Sequence, residues 1–296
     1  MKQAFRDAAA RIPPLDRLLV LAKTAREALQ GHYYSPVPNR RDIARVSRSN
    51  VAAPQGIDLN ETGQKRLLDE FVALYAQSPF RRPVAADVRY SADQNWFGPA
   101  DANYLYCFLR KFRPAQIIEV GSGFSSAVML DTAEHYLDPA PRMTFVEPDP
   151  RRLVKLLRPA DKQRAACIKS AAQDVPVETY ASLAPGDLLF IDSSHVLKRG
   201  SDVQFLLFDV LPALAPGVHV HFHDIHYPFE YPDGWLNAGR YWNEAYALRA
   251  FLAFNTSWKV TLFADYAAQA FGDFLRKEMP LCLSGPSSLY IQRTAA

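Results

Sequence analysis

The absences in this sequence narrow it first. Among 296 residues there are three cysteines, Cys107, Cys167 and Cys282, far apart and without a CxxC pair. That excludes a disulfide framework and a cysteine-based zinc site, and leaves each cysteine, flanked by apolar residues, as a small core hydrophobe. Charge of one sign is also lacking. Thirty-four Lys and Arg against 31 Asp and Glu give +3, too even for a protein held to nucleic acid by phosphate contacts. The basic pairs Arg40–Arg41, Arg81–Arg82 and Arg151–Arg152 read as solvated surface. No run approaches the roughly 18 apolar residues of a membrane span, and the N-terminal MKQAFRDAAARIPP holds no apolar stretch of signal-peptide length. A soluble, reducing, cytoplasmic setting is expected. Repeats and low-complexity tracts are missing too. With 49% apolar and 22% charged residues, the chain is globular and can bury a sizeable core.

What is present falls into two textures. Leu15, Leu18, Leu19, Ala22, Ala25 and Leu29 recur at helical spacing over 15–30, and Leu67, Leu68, Phe71, Val72 and Tyr75 do so over 61–77. Residues 31–60, rich in Pro, Asn and Arg, read as irregular, and a further helix is expected near 101–112. From residue 116 short apolar runs alternate with helical stretches: 116–120, 143–147, 165–169, 187–192, 218–224, 258–265 and 288–293. Such runs, bounded by Gly, Pro or Asp, read as buried strands. Their alternation with helices predicts right-handed βαβ units and a mostly parallel sheet. The expectation is a helical N-terminal extension over 1–94 and an α/β domain over 95–296.

IIEVGSGFSSA is the most informative string. Glu119 lies near a strand end, Gly121 and Gly123 make a turn, and a helix follows. Glycines serve where backbone must bend sharply and approach a ligand, and the helix start offers free N–H groups. A dinucleotide fingerprint would carry a third glycine where Ser126 stands, which disfavours an NAD-linked dehydrogenase. A carboxylate at Glu119 would repel pyrophosphate and suit a cationic amino-acid headgroup. Glu147, 28 residues on at the next strand tip, can accept both hydroxyls of a ribose. Gln173 or Asp174, after the third strand, can meet an exocyclic adenine amine. Taken singly these are also a tight turn and a helix cap; their order over three successive strand tips is what carries meaning.

That order resembles the class I S-adenosylmethionine methyltransferases, with Glu119-x-Gly121-x-Gly123 as the first motif, Glu147 as the second and Asp174 as the third. The resemblance implies a Rossmann-like sandwich of about seven strands, mostly parallel with the last antiparallel. Its cofactor-binding set would be Glu119, Gly121, Gly123, Ser125, Glu147, Gln173 and Asp174.

The fourth strand runs into IDSSHVLKRGSDV and the fifth into VHVHFHDIHYP. Ligands gather at carboxyl ends of strands in open α/β sheets, so Asp192, His223 and Asp224 should lie within reach of one divalent ion. Mg²⁺ prefers oxygen ligands alone, while Mn²⁺, Fe²⁺ and Zn²⁺ accept an imidazole more readily. His219 and His221, inside the strand, read as packed histidines, and His226 and Asp202 as surface or capping residues. DSSH followed by HFHDI resembles the metal-dependent O-methyltransferases of macrolide sugars and the related cephalosporin-hydroxylase-like proteins, over about residues 90–296. The resemblance implies Asp192 and Asp224 as ligands of Mg²⁺ or Mn²⁺ and His195 as general base. The chain departs from that pattern at His223, where those relatives carry a carboxylate.

A histidine with an ordinary pKa of about 6.5 can take a hydroxyl proton near neutrality, and a sulfonium methyl needs mainly alignment. The expected activity is therefore methyl transfer to a hydroxyl of a small molecule, a sugar or another secondary metabolite. Two alternatives stand beside it: a metal-independent methyltransferase in which Asp192 and Asp224 only position the acceptor, and a non-catalytic cofactor-binding partner protein. Tyr90, Asn95, Trp96, Phe97 and Asp101 should fold over the cofactor, while Tyr104 and Tyr106 read as core. The aromatic stretch 226–254 reads as a lid over the acceptor, with Glu230 and Asp233 on its hydroxyls. The same aromatics would suit a homo-oligomer interface. Glu244, which opens the next helix, reads first as a first-turn acid favoured by the helix dipole, with a place near the metal as the alternative.

Overall fold

The computed structural model describes residues 17–23, 32, 34–46, 52–81 and 87–295. Of the helix expected over 15–30, residues 17–23 are helical and the remainder lies outside the described residues. The described residues up to 46 group with 231–241 as one compact unit, and 52–230 with 242–295 as a second. In the first unit Asn39 caps the helix Arg40–Arg45, accepting from the Asp42 N–H while Asp42 answers from the Asn39 N–H. This reciprocal cap satisfies two donors that the first turn would leave bare.

The larger unit holds seven strands: β1 (Gln116–Val120), β2 (Arg142–Val146), β3 (Ala165–Ile168), β4 (Leu188–Ile191), β5 (His219–Phe222), β6 (Trp258–Phe263) and β7 (Leu289–Arg293). They form one sheet in the order β3-β2-β1-β4-β5-β7-β6. The first five are parallel, and β7 slots between β5 and β6, antiparallel to both. This is the expected Rossmann-like α/β sandwich, with every expected strand within a residue or two of its run. The β6–β7 pair is antiparallel as expected. It is not a tight hairpin, because the helices Ala264–Ala270 and Gly272–Glu278 lie between.

Central strands are apolar on both faces because both faces are covered. Ile117, Met143, Phe145, Leu188, Phe190 and Tyr290, alternating along their strands, share one core with helices α1 (Glu61–Tyr75), α2 (Pro99–Phe112) and α3 (Phe124–Tyr136). The intervening Ile118, Val120, Val146, Leu189, Ile191, Val220 and Phe222 are buried on the opposite face. Leu68 and Phe71 of α1 belong to the shared core, so packing runs across the boundary expected at residue 94.

The interior histidines of β5 sit in that core as packed groups. His221 pairs across the sheet with Phe190 and Tyr290 and stacks on Phe190 at 3.8 Å. His219 lies 4.5 Å from the Phe112 ring. Burial pushes His219 down to about 4 and His221 well below the ordinary histidine value, so both are neutral core residues.

Candidate active site

Because β1 to β5 are parallel, their carboxyl ends share one edge, and the chemistry-bearing residues collect there. β1 enters Gly121 at φ +81°, a region that side-chain-bearing residues rarely adopt. A Cβ at Gly121 would lie 1.7 Å from the Asp192 carbonyl oxygen, so the turn after β1 is pressed onto the tip of β4. Gly123 is extended (φ −179°) and is small for reasons of space, since a Cβ would meet the Arg152 guanidinium at 3.2 Å. Ser126 Oγ accepts from the Gly123 N–H at 3.0 Å, and the hydroxyls of Ser125 and Ser126 both donate to Glu119. Glu119 is fully buried. Burial pushes its carboxyl up to about 8, with the serine hydroxyls pulling the other way. It therefore keeps its proton at neutral pH and braces the turn from behind, and it is not among the residues lining the cleft.

A cleft of about 250 Å³ lies between the glycine turn and the tips of β4 and β5, bordered by Gly121–Ser125, Glu147, Arg152, Asp192–His195, Asp224, Trp96, Phe97 and Trp242. A cavity of about 540 Å³ shares Gly121, Glu147 and Asp192–Ser194 and extends to Ala171–Gln173, Lys198 and Gly200–Asp202. Glu147 borders both, held by the N–H groups of Ser122 at 3.0 Å and Asp149 at 2.8 Å. Gln173 lines the larger cavity, its amide donating to the Gly200 carbonyl at 3.3 Å. Asp174 is exposed and lines neither. The hydroxyls of Ser122 and Ser193 border the cleft, buried and without a partner.

At the tips of β4 and β5, Asp192, His195 and Asp224 converge, with one ligand atom of each within 4.8 Å of the others. His195 Nε2 is 3.3 Å from Asp192 Oδ1 and 3.8 Å from Asp224 Oδ2. Its Nδ1 is 2.9 Å from Glu244 Oε2. His195 and Asp224 both adopt left-handed backbone, φ 58° and 57°, which is uncommon for such residues and collects at functional sites. The His195 carbonyl is anchored by the N–H groups of Asn243 and Glu244 at 3.1 and 3.2 Å, at the start of helix α4 (Glu244–Leu252). Asn243 fixes the next stretch of loop, accepting from the Leu197 N–H at 2.6 Å, and the Trp242 ring lies 4.3 Å from the imidazole. Asp202 ties the loop's other side by accepting the Ser194 N–H at 2.8 Å.

Burial favours loss of the His195 proton, but the hydrogen bonds to Asp192 and Glu244 outweigh it and hold the imidazole well above its ordinary value. His223, expected beside the two aspartates, is not in the convergent group. Its Nε2 is 3.5 Å from Asp224 Oδ1 and its ring 5.0 Å from Phe97, while its Nδ1 is buried without a partner. Behind Asp224, Ser287 Oγ lies 3.2 Å from Asp224 and 3.3 Å from Asp101. Asp101 is almost fully buried and accepts from the Ser287 N–H and the Ser288 hydroxyl. It thus stands behind the site.

Of the segment expected to cover the cofactor, Trp96 and Phe97 border the cleft. Tyr90 is buried, donating its hydroxyl to the Phe97 carbonyl at 2.9 Å, while Asn95 is exposed. Tyr104 and Tyr106 are core, as expected. Of the stretch expected as a lid, 231–241 belongs to the smaller unit, and Glu230 accepts the Tyr246 hydroxyl at 2.9 Å. Glu244, expected first as a first-turn acid and second as a residue near the metal, is the partner of His195 Nδ1. It lies 49 positions from His195, and its only local signal was that of a first-turn acid.

Residues 118–225 match the model of a methyltransferase domain, a segment that contains the tips of all five parallel strands. An uncharacterized protein of Archaeoglobus fulgidus is 29% identical over 169 residues, 52% of this chain and 72% of that protein. Among solved structures, the SAH-bound methyltransferase PaMTH1 of Podospora anserina is 13% identical with a TM-score of 0.44, over 80% of this chain and 94% of that one. The O-methyltransferase TomG of Streptomyces achromogenes, solved with SAM, is 17% identical with a TM-score of 0.40, over 77% and 91%. CmcI, solved with Mg and SAM, is 15% identical with a TM-score of 0.42, over 75% and 84%.

Proposed function

With a methyltransferase domain at residues 118–225 as the premise, we propose that this protein transfers the methyl group of S-adenosylmethionine to a hydroxyl of a small molecule. The observation that carries the reading is the meeting, in one cleft, of a glycine turn and a ribose-type acid with an imidazole held among three carboxylates. The bare backbone of Gly121 and Gly123, the Glu147 carboxylate and the unpartnered Ser122 and Ser193 hydroxyls suit the donor. Its adenosine end would extend toward Gln173.

The acceptor would enter beside Trp96 and Trp242, whose faces suit a sugar ring or a flat phenol. Glu244 fixes the His195 tautomer by accepting from Nδ1–H, which leaves Nε2 turned toward the cleft. As the acceptor oxygen attacks the methyl carbon, the C–S bond breaks and its electron pair stays on sulfur. The hydroxyl proton passes to Nε2 of the neutral form of His195, whose share grows as pH rises because the carboxylates around it hold the imidazole well above its ordinary value. Asp192, Asp224 and Glu244 stabilise the imidazolium that results. Two carboxylates and a nearby imidazole are a donor set that fits a divalent cation, Mn²⁺ more readily than Mg²⁺ if the nitrogen takes part. Asp192 and Asp224 would hold it. When bound, such an ion supplies fixed positive charge beside the acceptor oxygen and favours its ionised form. The direct 3.3 Å approach of His195 to Asp192 also supports a second reading, a base that works without metal.

The test is calorimetric titration with S-adenosylhomocysteine and with NADH, followed by turnover of radiolabelled donor on sugar and phenol acceptors, with chelator and Mn²⁺ add-back. The homocysteine product should bind and NADH should not. His195→Ala should lower kcat by about 10²–10⁴-fold with product affinity kept. Binding of NADH in place of the thioether refutes the reading. Full activity after chelation favours the metal-free variant.

A further inference from the structure

The cleft that would take the donor is strongly acidic. Glu147, Asp192 and Asp224 all border it, which suits a sulfonium and an ammonium group but opposes the carboxylate of the donor's amino-acid tail. Among the described residues lining it, Arg152 is the one cation apart from His195. The sequence offered Arg151–Arg152 as a solvated pair, and Arg151 fits that, paired with Asp149 and largely exposed. Arg152 does something else. Its guanidinium lies over the Trp96 ring at 4.6 Å and within 5.9 Å of the Phe124 ring, and among the described residues no carboxylate lies within ion-pair distance of it. It also fills the space that a side chain at position 123 would occupy.

We propose that Arg152 reads the carboxylate of the donor's amino-acid tail, at the glycine-turn end of the cleft. This rests on the donor assigned above. Two independent features point to an anion there. The Ser122 hydroxyl, 8% exposed, borders the cleft without a partner. The first turn of α3, a 13-residue helix, begins at Phe124 and Ser125 on the same wall, and first-turn N–H groups have no partner within their helix. The stack on Trp96 holds the flat guanidinium in a fixed plane, which suits two-pronged recognition of a carboxylate.

The experiment compares S-adenosylhomocysteine with its decarboxylated analogue, the aminopropylthio-adenosine, by calorimetry on the full chain. Wild type should prefer the carboxylated ligand by about ten- to a hundredfold, the range of a charge-assisted hydrogen bond. Arg152→Ala should lose that preference while binding the decarboxylated ligand within twofold of wild type, and Arg152→Lys should keep part of it. Thermal melts of both variants should match wild type, since the side chain is exposed. If the preference survives in Arg152→Ala, or if both ligands weaken equally, the assignment of Arg152 is overturned and the donor assignment stands. If wild type binds neither ligand, the donor assignment falls and takes this one with it.

Discussion

Arg89 anchors the segment that carries Trp96 and Phe97 to the cleft, and replacing it should cost more than any surface change. Its guanidinium is 2.7 Å from Asp131, 3.0 Å from Asp161 and 2.7 Å from Glu134. The side chains of Arg89, Asp131 and Asp161 are 3%, 0% and 1% exposed. The Arg89 and Tyr90 N–H groups both donate to Asp131 as well, so the carboxylate grips backbone and side chain together. Arg89→Met keeps the bulk but leaves buried Asp131 without a cation and Asp161 with Arg164 alone, at 3.0 Å. Breaking a buried pair in this way costs about 3–5 kcal/mol. At roughly 2–4 °C per kcal/mol for a chain approaching this size, the melting temperature should fall by about 6–20 °C. Scanning calorimetry reads this directly, with Arg151→Met, at an exposed pair, as the control that should not move. Adding Asp131→Asn and Asp161→Asn to Arg89→Met should restore most of the loss, because the stranded charges go with the cation. A drop under about 2 °C for Arg89→Met, or no recovery in the triple variant, would refute the view that this network is held by mutual compensation of buried charge.

Gly121→Ala should abolish S-adenosylhomocysteine binding with the far-ultraviolet spectrum retained. Left-handed backbone costs a side chain about 1–2 kcal/mol, and the added methyl has a carbonyl in its way rather than a movable side chain; wild-type affinity in this variant would contradict the contact between the two strand tips. Gly123→Ala should be milder, since only the Arg152 side chain must yield. For Glu119, the folded carboxyl titrates near 8 against an ordinary value near 4.5, so its contribution to stability is complete below about pH 4.5 and is lost as pH rises toward 8, at up to about 1.4 kcal/mol per unit. Glu119→Gln should flatten that slope. Denaturant melts at pH 5, 6.5 and 8 that stay parallel for the two proteins would show that Glu119 is ionised in the fold. Glu244→Gln should lower kcat about tenfold, as a charge-assisted hydrogen bond becomes a neutral one, leave product affinity unchanged and exceed Glu244→Ala in activity; equal activity of the two variants would remove Glu244 from the positioning of His195.

Local chemistry alone was enough for the strands, for the glycine turn, and for His219 and His221 of β5 as core residues. Four to eight apolar residues between Gly, Pro and Asp cannot face water, and the alternation with helices leaves few ways to bury them. The same logic brought Gly121, Glu147, Asp192, His195 and Asp224 to one edge, since parallel strands must end together. Tertiary packing decided the rest. Which histidine joins the two aspartates depends on side-chain direction at a left-handed residue, and the loop chose His195 over His223. Glu119 became a neutral brace because it is fully buried, behind the turn, where Ser125 and Ser126 of the following helix reach its carboxyl. Glu244 and Arg152 acquired their places only when distant segments closed over the strand tips, because a carboxylate or guanidinium on a helix start looks the same in sequence whether it meets water, an imidazole or an open cleft.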